Sequence, residues 1–403
     1  MDAKKIGSCV ADIIDDVRNS GDKAVFEYLK KFDGVDLSKR GYKISQKTMD
    51  DAVKHVPVSL KKTIKASYSN ILAYHRYECS QIKKKWYYVG NEGLIIGQFC
   101  TSVDSVGIYV PGGRFPYLST VIMAAVPAVV AGVKRIVMVT PPKNISDAVL
   151  FAAKLCSIKE IYCVGGAVAV AALAYGTKTV EKVDMIVGPG NTYVNEAKRQ
   201  VFGDVGVDSL AGPSEVAVIA DKDVPVEYVV ADIMAQVEHD PMAKAYLLCE
   251  SASKVSEIKK LIPKQAMKQL KIEVCSIAKA IRMVNAIAPE HLELLVKNHK
   301  NLMKDIKNVG AVFAGYQTPT ASGDYLAGPS HVLPTNGSAK FSSGLSVMTF
   351  LKRSAYIEID KNNKKAYETI ADFAQFENMY YHKKSADVRV SSLCSSNLRN
   401  NQK

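Results

Sequence analysis

The chain has 403 residues, 48% hydrophobic and 23% charged, a composition that suits a folded protein of two globular domains and excludes a disordered or fibrous one. No apolar run approaches the roughly 18 residues needed to span a bilayer, and the start MDAKKIGSCVADIIDD turns acidic where a signal peptide would stay apolar. A net charge of +13 would suit nucleic acid, but the basic residues are dispersed, as in IKKLIPKQAMKQLK (258–271), which reads as a solvated helix face.

In chain order, residues 5 to about 80 carry apolar positions at helical spacing, broken at Ser20-Gly21-Asp22. KWYYVG, EGLIIGQF and VGIYV then read as short strands. From 106 to 203, apolar strands begin near Val106, Val133, Glu160 and Asp184, each followed by a helical segment. That repeat predicts a parallel sheet covered on both faces, with Pro127 denting the first helix. A second alternating region runs from about 214 to 345, and no low-complexity linker separates the two. The end reads as one long helical stretch, KKAYETIADFAQFENMYYH, followed by a frayed polar tail.

Eight cysteines, at 9, 79, 100, 156, 163, 249, 275 and 394, form no CxxC pair. They read as reduced thiols of a cytoplasmic protein, and a sulfur-ligated metal is not expected.

Four stretches could do chemistry. AQVEHDP (235–241) closes an apolar helix with Gln236 and His239 three residues apart, hence one above the other. Such a pair can chelate, but taken alone the stretch reads as a helix end with polar decoration. In Pro289-Glu290-His291 the proline is expected to open a helix, placing both side chains in its first turn. There the dipole would keep His291 neutral and able to accept a proton, with Glu290 placed to activate water. A plain acidic helix start fits equally well. Asp324 and His331 lie seven apart in the loop-like SGDYLAGPSH. Glu377 and His382, five apart, would sit about 140° round the last helix and read as surface groups. The turns at 110–113, 164–166 and 187–191 follow strands and precede helices as phosphate-binding turns do, without the full GxGxxG spacing.

Together these segments closely resemble the histidinol dehydrogenase family. The matching runs are VGIYVPGG, VGPGNTYVNEAKRQVFG, AGPSEVAVIAD, AQVEHDP, IAPEHLELL, SGDYLAGPSHVLPT and FENMYYH, in the family's order, with ADIIDDVRNSGDKAVFEYLKKFDGVDL at the N-terminus. The resemblance implies an α/β fold of two incomplete Rossmann-like doubly wound domains, with a C-terminal helical tail exchanged in a homodimer. The boundaries it suggests are 1–108 with 214–345 for zinc and substrate, 109–213 for an inserted NAD domain, and 346–403 for the tail.

It also implies a zinc- and NAD-dependent oxidation of L-histidinol to L-histidine, with no nucleic acid or membrane partner. Gln236, His239, Asp324 and His382 match the zinc ligands, a set of nitrogen and oxygen donors that zinc accepts. His291 matches the general base and Glu290 the residue that activates water. Ser214, His331 and Glu377 match substrate contacts, and Ser119 falls at the substrate pocket. Tyr109 and Asn191 match NAD contacts. The family's GGAQA stretch is Gly165-Gly166-Ala167-Val168-Ala169 here, so Val168 stands where a glutamine contacts NAD. Relatives on this scaffold oxidise other small polar alcohols, including a sulfonated propanediol, which is the alternative reading. A silent binding scaffold is the third, and the complete set of ligand types and the Glu290-His291 pair speak against it.

Overall fold

The computed structural model describes residues 3–39, 41–112, 117–238, 240–360 and 363–400. The chain divides into two compact units, residues 1–79 with 103–350, and residues 80–102 with 351–403.

The helices are α1 (Ala3–Ser20), α2 (Asp22–Tyr28), α3 (Gln46–His55), α4 (Val58–Gln81), α5 (Leu118–Ala131), α6 (Asp147–Leu155), α7 (Gly166–Tyr175), α8 (Thr192–Val201), α9 (Val226–Val237), α10 (Ala252–Leu261), α11 (Ile277–Ile287), α12 (His299–Leu302), α13 (Ala321–Tyr325), α14 (Lys364–Phe376) and α15 (Tyr380–Asn400). The strands are β1 (Lys85–Val89), β2 (Leu94–Ser102), β3 (Ser105–Tyr109), β4 (Arg135–Thr140), β5 (Glu160–Cys163), β6 (Met185–Val187), β7 (Gly206–Val207), β8 (Glu215–Ala220), β9 (Lys244–Cys249), β10 (Leu270–Val274), β11 (His291–Leu295), β12 (Ala311–Ala314) and β13 (Leu351–Ile359).

The larger unit holds two parallel sheets, ordered β5-β4-β3-β6-β7 and β10-β9-β8-β11-β12. Both therefore run third, second, first, fourth, fifth, the doubly wound order without its sixth strand. The expected pair of incomplete Rossmann-like sheets is what forms. Strands such as EVAVIA are buried along their whole length because helices cover both faces. In the second sheet Val216, Val218 and Leu295 pack with Val229, Ile233 and Val237 of α9. Leu292 and Leu294 pack on the other face with Ala280, Ile281 and Val284 of α11.

The smaller unit is an antiparallel sheet, ordered β1-β2-β13, with the helices α14 and α15. Three expectations change here and in the second sheet. IKKLIPKQAMKQLK is not one helix: α10 ends at Leu261, Pro263 follows, and the chain enters β10 at Leu270. The last helical stretch is two helices, broken at Asn378, whose φ of 59° reverses the backbone. The polar tail does not fray at once, since α15 continues to Asn400. Pro127 sits inside α5 without ending it. Cys156, Cys163 and Cys249 are buried, and no helix among the described residues is long and apolar enough to cross a membrane.

Candidate active site

Helix α9 runs back across its sheet and delivers Gln236 to the amino edge of β11. Its apolar stripe fixes that face, and Gln236 is only 2% exposed. The side chain meets His291, with Gln236 Oε1 and His291 Nδ1 3.1 Å apart. The imidazole also packs edge-on against Phe313 of β12, at 5.6 Å between ring centres. Gln236 Nε2 is buried and has no hydrogen-bond partner among the described groups. His239 lies outside the described residues.

Pro289 does not open a helix, contrary to the sequence expectation. Helix α11 ends at Ile287, Ala288 takes a left-handed conformation at φ 53°, and the chain leaves as strand β11 from His291. The alternation of HLELL, buried on both faces between β8 and β12, overrides the proline signal. His291 therefore does not sit at a helix N-terminus. Burial does the electrostatic work on its neighbour instead. Glu290 is 6% exposed, and desolvation pushes its carboxyl up to about 8, with the fields of Asp324 and Glu215 adding to the rise. The Glu215 N–H, 3.1 Å from Glu290 Oε2, and the Ser214 hydroxyl oppose it.

Asp324, on α13, lies near enough to raise Glu290, and its Oδ1 is 3.7 Å from Nδ1 of His331. Nε2 of His331 is 3.3 Å from the hydroxyl of Thr120 at the start of α5, one residue after Ser119. Ser214, Gln236, Glu290, His291, Asp324 and His331 thus converge at the amino edge of the second sheet, around the point where its strand order reverses between β8 and β11.

The expected NAD residues lie on the opposite kind of edge, at the carboxyl ends of the first sheet's strands, where doubly wound folds place dinucleotides. Tyr109 ends β3, and its buried hydroxyl accepts the Gly166 N–H at 3.1 Å. Asn191 caps α8, its Oδ1 accepting from Tyr193 and Val194. Between them Gly188 turns at φ 111°, and a Cβ there would stand 2.3 Å from the Tyr109 carbonyl oxygen, so only glycine fits. Val168 is 3% exposed among the apolar residues of α7's core.

Glu377 and His382 belong to the smaller unit. Glu377 ends α14 and His382 lies in the first turn of α15, so they are not five apart on one helix as the sequence suggested. No three His, Cys, Asp or Glu side chains converge as metal ligands among the described residues. The residues present nevertheless fit a cation. An amide oxygen has two acceptor sites, so Gln236 Oε1 can accept a hydrogen bond from His291 Nδ1–H and still ligate. Its buried Nε2 has no acceptor among the described residues.

Sequence reasoning missed four groups around this centre. Thr120 holds His331, and Glu215 accepts the Asn336 N–H at 2.7 Å while its own N–H meets Glu290. Asp232 and Glu293 are buried behind them. The available signal was a carboxylate inside an apolar strand or stripe, as in EVAVIA, HLELL and VVADIM.

Two doubly wound sheets, one presenting glycine turns at its carboxyl edge and the other a buried acid–histidine pair at its amino edge, make this an α/β protein of the doubly wound class. The histidinol dehydrogenase family model matches residues 1–390. A histidinol dehydrogenase of Thermosynechococcus vestitus is 43% identical over 94% of this chain and 92% of its own. That of Bacillus subtilis is 40% identical over 94% and 92%. The crystal structure of the Elizabethkingia anophelis histidinol dehydrogenase superposes with a TM-score of 0.90 at 36% identity, over 98% of this chain and 93% of that one. The chain belongs to the histidinol dehydrogenase family.

Proposed function

We propose that this enzyme oxidises L-histidinol to L-histidine through L-histidinal in the cytoplasm, as the last step of histidine biosynthesis. The observation that carries this reading is the buried Glu290-His291 pair, flanked by Gln236 and Asp324 within one edge of a doubly wound sheet. In this reading Gln236, His239, Asp324 and His382 hold zinc. Tyr109, Asn191 and the backbone around Val168 face NAD. Ser119, Ser214, His331 and Glu377 contact the substrate. Zinc, when bound, polarises the alcohol and carbonyl oxygen, and NAD accepts hydride in each of two oxidations.

The protein groups then divide the proton work. With the Nδ1 proton of His291 donated to Gln236 Oε1, Nε2 is the basic nitrogen. It takes the hydroxyl proton as hydride leaves the alcohol carbon, and again when the hydrated aldehyde is oxidised. Glu290, as carboxylate, takes a proton from the water that adds to the aldehyde. One alcohol, one water and two NAD thus give one carboxylate, two NADH and three protons. The aromatic groups exposed on α14 and α15 (Phe373, Phe376, Tyr380 and Tyr381) support a homodimer in which this tail covers the partner and brings Glu377 and His382 to its site. The functional division in this reading is 1–108 with 214–345, 109–213, and 346–403.

The test is a steady-state assay with L-histidinol and NAD, before and after chelation and zinc restoration. Turnover should require the metal. Glu290→Gln should slow acid formation more than alcohol oxidation, and His291→Asn should slow both. Turnover of another polar alcohol in place of histidinol, or full activity without metal, would overturn the assignment.

A further inference from the structure

The larger unit holds a second buried pair of ionisable groups with no part in the steps above. Asp232 is 8% exposed on α9, four residues before Gln236, and Glu293 is fully buried on β11, two residues after His291. These spacings put Asp232 and Gln236 on one helix face, and Glu293 and His291 on one strand face. A single helix–strand contact therefore carries two polar layers. Gln236 meets His291 in the first, and Asp232 meets Glu293 in the second.

Glu293 Oε1 accepts the Thr320 N–H at 2.9 Å. Among the described residues its Oε2 has no hydrogen-bond donor, and the groups beside Glu293 are the Asp232 carboxyl and the Thr320 hydroxyl. Two carboxylates there would face each other as acceptors with no donor between them, in a buried place where an unpaired acceptor is costly. One proton between them supplies the missing donor and removes one of two like charges. Burial raises both groups, and the Asp232 charge raises Glu293 further. Thr320 is the N-cap residue of α13, the helix bearing Asp324.

We propose that Asp232 and Glu293 share one proton, and that the resulting hydrogen bond, together with the Thr320 amide, positions Gln236, His291 and Asp324 relative to one another. The pair joins α9, β11 and α13, the three elements that carry those side chains. Asp232 and Glu293 are positioning residues, since neither touches the reacting atoms. The positioning role rests on the oxidation proposed above, whereas the shared proton does not.

The experiment compares Asp232→Asn, Glu293→Gln, Asp232→Ala and Asp232→Ser in the zinc-loaded protein. Either single amide replaces the shared proton with an N–H donor and keeps one negative charge, so kcat should stay within about threefold of wild type. Asp232→Ala leaves Glu293 without its partner and should lower kcat about tenfold or more per folded molecule, the scale expected when reacting groups are displaced by part of an ångström. Asp232→Ser carries the same comparison if the alanine variant does not fold. Infrared difference spectra at neutral pH should show a neutral-carboxyl C=O stretch lost in both Asp232→Asn and Glu293→Gln. A wild-type kcat in the alanine or serine variant, or an asparagine variant as slow as alanine, would overturn the positioning role. An unchanged carboxyl band would overturn the shared proton. Failure of the oxidation reading would look different, with no turnover by wild type and the band still lost.

Discussion

Replacing Glu290 with glutamine should make the protein more stable than wild type at high pH and little different at low pH. The carboxyl moves from its ordinary 4.5 to about 8 on folding, chiefly by burial. A raised carboxyl binds its proton more tightly in the folded state, so between these two values folding takes up a proton. Its contribution is fully present below about pH 4.5, declines as pH rises, and is gone above about pH 8. The interval corresponds to about 5 kcal/mol as an upper bound, and relaxation around an ionised group makes about 2–5 kcal/mol the expected range. Glutamine keeps an oxygen to accept the Glu215 N–H and carries no charge to desolvate. Urea unfolding of both proteins from pH 5 to 9, with chelator in every sample so that no cation offsets the cost, should show an advantage for the variant that grows to about pH 8 and then levels. Stability curves that stay parallel across that range would refute a proton held on Glu290.

Val168→Gln places an amide among apolar side chains of α7, and without a partner it should cost about 1–3 kcal/mol of stability by thermal unfolding. If the position faces NAD, saturating NAD should recover part of that loss and lower the NAD requirement; an equal loss with and without NAD would place it in the core alone. For the proposed dimer, Asp324→Asn and His382→Asn should each be inactive, yet refolding them together should restore about a quarter of wild-type activity, because random pairing makes half the dimers mixed with one intact site each. No recovery in the refolded mixture would remove the exchanged tail.

Most of the larger unit was legible because its strands are apolar runs between turn signals, a pattern that a parallel sheet under two helix layers demands. The strands that escaped are the short β7, β11, where Pro289 read as a helix start, and β10 and β13. LKIEV and LKRSAYIEI mix charge with β-branched residues, as partly exposed strands do, and β10 was absorbed into a neighbouring lysine-rich helix. The break at Asn378 escaped because asparagine tolerates the left-handed conformation without announcing it. Gln236, Glu290 and His291 were legible as types at a spacing. Their mutual geometry was not, since it depends on which face of α9 meets which face of β11.

That last choice is made by residues with no chemistry of their own. Leu292 and Leu294 pack with α11, and Val229, Ile233 and Val237 commit α9 to the opposite face of the sheet. With the leucines held there, the alternation of a strand leaves His291 and Glu293 no direction but towards α9. On that helix Asp232 and Gln236 are the polar residues in line. A one-residue slip of β11 against β8, whose register pairs His291 with Val216, would bury the leucines against α9 and turn the histidine and both carboxyl partners apart. The apolar alternation of HLELL is therefore also the device that aims the base, and a leucine-to-polar change at 292 or 294 should act on the site through register before it acts through the core.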